Sequence, residues 1–402
     1  MTATGLPIIR LTAICFLAYA IMSGLLTQIG VLSDAIATHF GKPLLEVTTR
    51  FGYFSAGISI GSVLSLLVYE KLSLRMGVVL CYGIILLSLG MLHGVDSWQW
   101  LPVLLFLVGT AASLGVNTAA IILALIYRPA QRGSMLLLTD LCFALAGVIS
   151  APLAIYLLQA ELPWSSSYLS IAVLAAGVLL LTGFSQFPQT EQERNTTTED
   201  AEPIRSWPLS VYLCGIALTA YLLGQVAMLL WLPNYMQSTF GTPELDGAAA
   251  ISRYWTGMAI GQLVLAVAMT RLPTPPVLLA IVVASTVSST GFWLLSNPDW
   301  MGNAALIVGL CNAGFLKLTL AYAANLVRNP QRVVALVLVC ASAGSASAPF
   351  ISSQIVAAGA MSNALHLMTI CSAIAGLTLA LAMYLARHVN PGADDDGHLT
   401  AK

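Results

Sequence analysis

Residues 57–61 read GISIG and residues 257–261 read GMAIG; residues 128–132 read RPAQR and residues 328–332 read RNPQR. Both pairs lie 200 positions apart, and the same offset carries Gly24, Leu32 and Asp34 onto Gly224, Leu232 and Asn234. Further along the register slips by three, so Gly147 and Ser150-Ala151-Pro152 meet Gly344 and Ser347-Ala348-Pro349. Any one match could arise by chance. Four in the same order define an internal repeat, two halves running parallel in sequence and expected to be related by an axis along a membrane normal.

The composition says which solvent surrounds those halves. Of 402 residues, 58% are hydrophobic and 8% charged, and the mean hydropathy is +0.86. Soluble domains carry about 25% charged residues, so most of this surface has no water to face. Apolar runs of about 20 residues cross a bilayer as helices, because lipid offers the backbone no hydrogen-bond partners. Twelve runs are expected as spans: 11–37, 48–70, 76–94, 100–127, 134–159, 167–187, 208–237, 248–271, 276–296, 301–327, 333–358 and 362–386. The polar stretch PQTEQERNTTTEDAEPIRS at 188–206 reads as a solvated linker. The expected organisation is a first six-helix bundle over 1–187, the linker, a second bundle over 207–387 and a disordered tail at 388–402.

Charge placement orients the chain. With the N-terminus inside, the cytoplasmic segments collect Arg10, Lys71, Arg75, Arg128, Arg132, Arg194, Arg205, Arg271, Arg328, Arg332, Arg387 and Lys402, which is 12 of the 16 basic residues. Both termini are therefore expected in the cytoplasm of a bacterial cell, the spans lying in its inner membrane. No cleavable signal pattern precedes the first run, which is read as a retained span. The seven cysteines lie in apolar runs without metal-ligand spacing and read as small hydrophobes. No GxxxxGK[ST] loop, nucleophile–base pair or metal spacing is present. The expectation is no enzyme, no cofactor, no metal and no nucleic-acid partner. Gly57/Gly61 and Gly257/Gly261 permit close helix approach, either for rocking of the halves or for static packing.

Several segments resemble the major facilitator superfamily, and within it the fucose:proton symporter family and the TsgA-like proteins. They are LSDAIATHF at 32–40, YEKLSLRMG at 69–77, FLVGTAASLGVNTAA at 106–120, SQFPQ at 185–189 and YLLGQVAMLLWLPNYM at 221–236. The superfamily's GxxxDRxGRR loop survives only as the reduced YEKLSLRMG. The resemblance implies twelve transmembrane helices in two pseudo-symmetric bundles, with spans 1, 4, 7 and 10 lining a central cavity. It also implies an acidic residue on the first span and a glutamate on the fourth. Asp34 fills the first position; Asn117 stands at the second.

An ionisable side chain inside a span marks a cavity or a partner. Asp34 is the expected proton-binding carboxylate, against the alternative of a wet residue at the outer mouth. Lys317, the repeat partner of Asn117, is expected to hold an anionic solute or to pair with an aspartate. Asp140 is a second titrating group or a gate pairing with Arg128 or Arg132. Arg253, near the outer end of the eighth span, is expected to snorkel to the headgroups. Gln28, Asn117, Gln225, Trp231, Asn234 and Asn312, with Trp255, Gln262 and Tyr322, are candidate solute contacts. Trp98, Trp100, Trp164 and Trp300 are expected as interfacial anchors, and His93 and His366 as satisfied or solvated imidazoles. The expected protein is a monomeric, proton-linked secondary transporter of a small polar solute; an amphipathic-drug exporter and a non-transporting membrane sensor or assembly protein are the competing readings.

Overall fold

The computed structural model describes residues 5–68, 72–94, 97–127, 129–188, 207–269, 271–295, 297–327 and 330–389. Among these, thirteen helices follow in order: α1 Gly5–Phe40, α2 Leu44–Val68, α3 Leu74–Gly94, α4 Leu101–Ile126, α5 Pro129–Gln159, α6 Ser165–Gly183, α7 Leu209–Phe240, α8 Glu244–Ala268, α9 Thr274–Trp293, α10 Pro298–Asn312, α11 Phe315–Ala324, α12 Pro330–Ala358 and α13 Ser362–Val389. Twelve spans result, because α10 and α11 together make the tenth. Ten are apolar enough to cross a membrane by length and composition. The other two are α2, with Glu46 and Arg50, and α8, with Glu244, Asp246 and Arg253. The residues 189–206 and 390–402, on which most of the linker and the tail fall, lie outside the described residues.

The repeat is visible in the backbone. Gly41 ends the first span at φ 61° and Gly241 the seventh at φ 67°, a left-handed conformation in which only glycine is unstrained. Pro43 and Pro243 head the following helices, their carbonyls accepting from the amides of Glu46 and Asp246 at 2.9 and 3.0 Å. The paired glycines repeat their packing as well. A Cβ on Gly57 would run into the carbonyl oxygen of Phe106, and one on Gly257 into that of Leu306. Gly109 and Gly309 press in the same way on the carbonyls of Phe54 and Tyr254. These contacts join α2 to α4 and α8 to α10. The glycine pairs thus pack helices inside each half and do not form the surface on which the halves meet.

The halves meet through other small and polar groups. Gly30 of α1 lies against the carbonyls of Leu229 and Leu230 on α7, so Gly30 faces its own repeat partner across the pseudo-axis. Between α2 and α12, Thr48 and Ser353 share a hydrogen bond of 3.2 Å, the Phe350 ring covers Gly52, and Ser59 donates to the Ser342 carbonyl at 2.8 Å. Between α5 and α8, Ser252 donates to the Val148 carbonyl at 2.7 Å and the Trp255 indole covers Gly147. With no hydrophobic drive between helices in lipid, close packing and such hydroxyl bonds hold the seam.

The core records where the seam ends. One apolar cluster runs through the first half and into Met228–Met236, Ala248–Ala259 and Met301–Val308 of the second. A separate cluster gathers Trp207–Tyr221, Leu278–Val282, Phe315–Ala323, Val333–Ala341 and Ala375–Met383. The halves therefore share a core at the end bearing the 41–43 and 241–243 turns. They have separate cores toward the face where α1 begins and α13 ends, here the terminal face. On the opposite face Arg50 stacks 3.8 Å over the Trp98 ring, donates to its carbonyl at 2.6 Å and pairs with Glu46 at 3.5 Å, beside a cavity of about 450 Å³. Trp100 and Trp300 are exposed as expected of anchors, whereas Trp164 is buried, 5% exposed, against Phe40 and Tyr168.

Glycines that look alike in sequence are expected to respond differently to substitution. Gly109→Ala and Gly309→Ala each force a helix away from a carbonyl and are expected to cost about 1–3 kcal/mol. Gly83→Ala and Gly177→Ala, where an added Cβ meets nothing within 4 Å, are expected to be neutral or stabilising by about 0.5–1 kcal/mol. Thermal melting of the purified protein in detergent reads the difference; equal responses would remove the tight contact.

Candidate functional site

The tenth span breaks in mid-course. α10 ends at Asn312, Ala313 turns to ψ 138°, and Gly314 takes φ 73° before α11 starts at Phe315. Breaking a helix in lipid strands carbonyls, and the second half is built to receive one of them: the Tyr221 hydroxyl donates to the Asn312 carbonyl at 2.9 Å. The Asn312 side chain is held from two sides, accepting from Ser285 at 2.5 Å and donating to Tyr254 at 3.4 Å. Tyr254 in turn accepts from Gln225 at 2.5 Å, and Ser285 reaches Ser372 at 3.2 Å. This buried network fixes α10 against α7, α8, α9 and α13.

Three residues past the break, Lys317 leaves the second half. Its ammonium lies 3.3 Å from the Asp140 carboxylate of α5, so the ion pair joins the two halves. The lysine side chain keeps 35% exposure and the aspartate 15%. From α1 the Tyr19 ring stands 6.0 Å from the ammonium, and its hydroxyl pairs with Thr139, the neighbour of Asp140. Lys317 is about 10 Å from the end of its span at Ala324, and Asp140 about 16 Å from the start of α5, at 1.5 Å per residue. The cluster thus occupies the stretch where the two cores have separated, on the terminal-face side of the shared one.

Other residues singled out from sequence lie elsewhere. Asp34 sits 15 residues beyond Tyr19 on the same helix, about 22 Å toward the opposite face. There it is close enough to Glu244 for the two carboxylates to repel each other. Asn117 donates to Ser65 at 3.0 Å, a bond within the first half. Trp231 donates to Ser352 at 2.9 Å within the second, and Gln225 and Asn312 serve the break. Gln28 is fully buried with no hydrogen bond on either polar atom, and the amide nitrogen of Asn234, the indole nitrogen of Trp255 and the carbonyl oxygen of Gln262 are also unpartnered. Tyr322, five residues past Lys317 on α11, is partly buried. His93 is satisfied by Ser165 at 2.9 Å. Arg253 is exposed, with its guanidinium against Gly302. Arg128, and the side chain of Arg132, lie outside the described residues.

Sequence reasoning missed Tyr19, Thr139 and the break. The tripeptide Asn312-Ala313-Gly314 carries a turn signal, but it is embedded in an apolar run long enough to pass for one helix.

Two bundles of parallel repeats that share a core at one end and, among the described residues, are joined by an ion pair toward the other are the architecture of an alternating-access membrane transporter. A family model described as Major Facilitator Superfamily matches residues 11–349, and the chain belongs to that family. It is 26% identical over 382 residues to the protein TsgA homolog of Serratia proteamaculans (strain 568), covering 94% of this chain and 93% of that one. Identity to the TsgA homolog of Yersinia pseudotuberculosis serotype O:1b (strain IP 31758) is 25% over the same length. A crystal structure of a variant of the nucleoside transporter NupG superposes with a TM-score of 0.72 over 93% of this chain and 99% of that one, at 11% identity. That likeness concerns the fold.

Breaking the pair on one side strands a charge. Asp140→Asn and Lys317→Gln are each expected to lower stability by about 1–2 kcal/mol, below the 3–5 of a fully buried pair because the Lys317 side chain is partly exposed. The double variant is expected to recover most of the loss. A double-mutant cycle from detergent melting curves tests this; additive losses would mean that the two groups do not interact.

Proposed function

We propose that the protein is a proton-linked secondary transporter that moves a small polar solute across the bacterial inner membrane by alternating access. The observation that carries this reading is the Asp140–Lys317 pair, the ionic contact that joins the halves where their cores have parted. A carboxylate that must be neutralised when its partner leaves is a proton-binding group by construction. Asp140 is then the coupling site and Lys317 a solute contact. Asp34, at the opposite end of α1, gives protons access from the other side. Gln28 and Asn234, with unpartnered buried amides, supply hydrogen bonds to the solute or its water as it passes. The distribution of Lys and Arg supports termini in the cytoplasm, and each chain, with both bundles, is a complete transport unit.

An exporter of amphipathic compounds would be served by an aromatic and methionine wall without charge. The ion pair between the halves favours the polar solute.

The test is uptake into proteoliposomes under an imposed inward proton gradient, across a panel of sugars, nucleosides and organic acids. At least one solute is expected to accumulate and to be lost when a protonophore collapses the gradient. Asp140→Asn is expected to abolish accumulation while sparing solute counterflow, and Asp34→Asn to slow uptake without changing the proton-to-solute ratio. Accumulation unaffected by the protonophore would refute proton linkage.

A further inference from the structure

The charges around the pair constrain what the solute is, an argument that rests on the transport reading above. Lys317 has three N–H donors, and its acidic contact is a single one at 3.3 Å. It is the third residue of α11, where the helix itself presents positive partial charge. Positive charge at this point is therefore in excess of what the helix alone tolerates, and Asp140 is its counter-ion.

The groups facing Asp140 are few. Lys317 comes from α11 and the Tyr19 hydroxyl from α1, with Arg10 about 13 Å further down that helix and bonded to the Phe184 carbonyl. Neither α4 nor α6 contains an acidic or basic residue. The charged residues of α8, Glu244, Asp246 and Arg253, lie in its first ten residues, toward the opposite face. Among the described residues no third charge is at hand to replace either member of the pair.

We infer that the solute is a small organic monoanion, a carboxylate or a group of like charge and geometry, which takes Lys317 from Asp140 and obliges Asp140 to bind one proton. The sum of charges decides the stoichiometry. The resting pair is neutral. A neutral solute that displaced neither group would leave Lys317 and Asp140 unused, and one that parted them would strand both. A monoanion on the ammonium leaves one uncompensated carboxylate, and one proton restores neutrality. The lysine stays protonated throughout; the proton that binds Asp140 at one face is released at the other when the anion departs and the pair reforms. The cycle carries one anion and one proton, with no net charge.

The experiment uses the full chain in proteoliposomes containing a pH-reporting dye, with the membrane potential clamped by potassium and valinomycin. The probes are radiolabelled glycerate, gluconate and glucuronate, with glycerol, glucose and uridine as neutral counterparts. An anion is expected to enter with one proton, at a rate independent of the clamped potential. Lys317→Gln is expected to lower that uptake at least tenfold. Asp140→Asn is expected to retain anion counterflow, lose the proton signal and become potential-dependent; Asp140→Glu is expected to restore coupling, an outcome that a purely structural role does not produce. Proton-coupled uptake of a neutral probe with refusal of every anion would overturn the monoanion and leave proton-linked transport standing. Net charge movement with the wild-type anion flux, or full uptake by Lys317→Gln, would also overturn it. Movement of no probe would remove the transport reading, and the inference would fall with it.

Discussion

A charge in the hydrocarbon layer has to find an opposite charge or water, and this molecule offers Lys317 the carboxylate of Asp140. At 3.3 Å the attraction between unit charges is about 5 kcal/mol at an effective dielectric of 20, before desolvation is subtracted. That net is modest, and the modesty matters. A pair with ideal bidentate geometry, fully buried, would lock the halves together; one contact with a partly exposed lysine is an interaction that a ligand can exchange. The break in the tenth span serves the same end. By ending α10 at Asn312 and restarting at Phe315, the chain sets Lys317 in the first turn of a short helix, while Tyr221, Tyr254 and Ser285 hold the end of α10.

The two halves agree in backbone and differ in charge. Gly41 and Gly241, Pro43 and Pro243, Gly57 and Gly257, Gly109 and Gly309 perform matching tasks 200 residues apart. Where the ion pair stands, the match fails. Lys317 corresponds to Asn117, Tyr19 to Thr219, and Asp140, with the later register, to Val337. Thr219 spends its hydroxyl on the Cys340 carbonyl and Asn117 its amide on Ser65, each within its own half. Duplication accounts for the scaffold; the chemistry depends on the positions where one copy keeps a neutral residue that bonds locally and the other carries a charge that must reach across.

This division also explains what the sequence could and could not disclose. The spans were legible because apolar length is a property of the chain alone, and the repeat because glycines at backbone crossings tolerate no substitute. The glycine pairs were ambiguous between rocking and static packing, since small-xxx-small spacing says that two helices touch and not which two. The partner of Asp140 was out of reach for the same reason: α5 and α11 are remote in sequence, and nearby Arg128 and Arg132 were the visible alternatives. Asp34 and Lys317 both stood out as intramembrane charges, yet a 1.5 Å rise per residue separates their levels by most of a bilayer. The break at Ala313–Gly314 is hidden by its apolar surroundings, although Asn312 beside it is polar.

The distribution of contacts has an energetic consequence for the cycle. Along the seam the halves are joined by several weak contacts: Thr48 with Ser353, Ser59 and Ser62 with Ser342, Ser252 with Val148, and Gly30 against the Leu229 and Leu230 carbonyls. Hydrogen bonds of this kind net about 0.5–1.5 kcal/mol each, so none dominates and the seam can part without a single large barrier. Toward the terminal face, among the described residues, the Lys317–Asp140 pair spans the two halves. A two-state equilibrium moves only by the differential binding of a ligand to its states, and shifting it from 1:99 to 99:1 needs about 5.5 kcal/mol. Among the described residues the Lys317–Asp140 pair is the ionic contact between the halves, and its strength changes when a proton or an anion arrives, which supplies part of such a shift. The many small contacts set the resting state, and the ionic one makes it responsive.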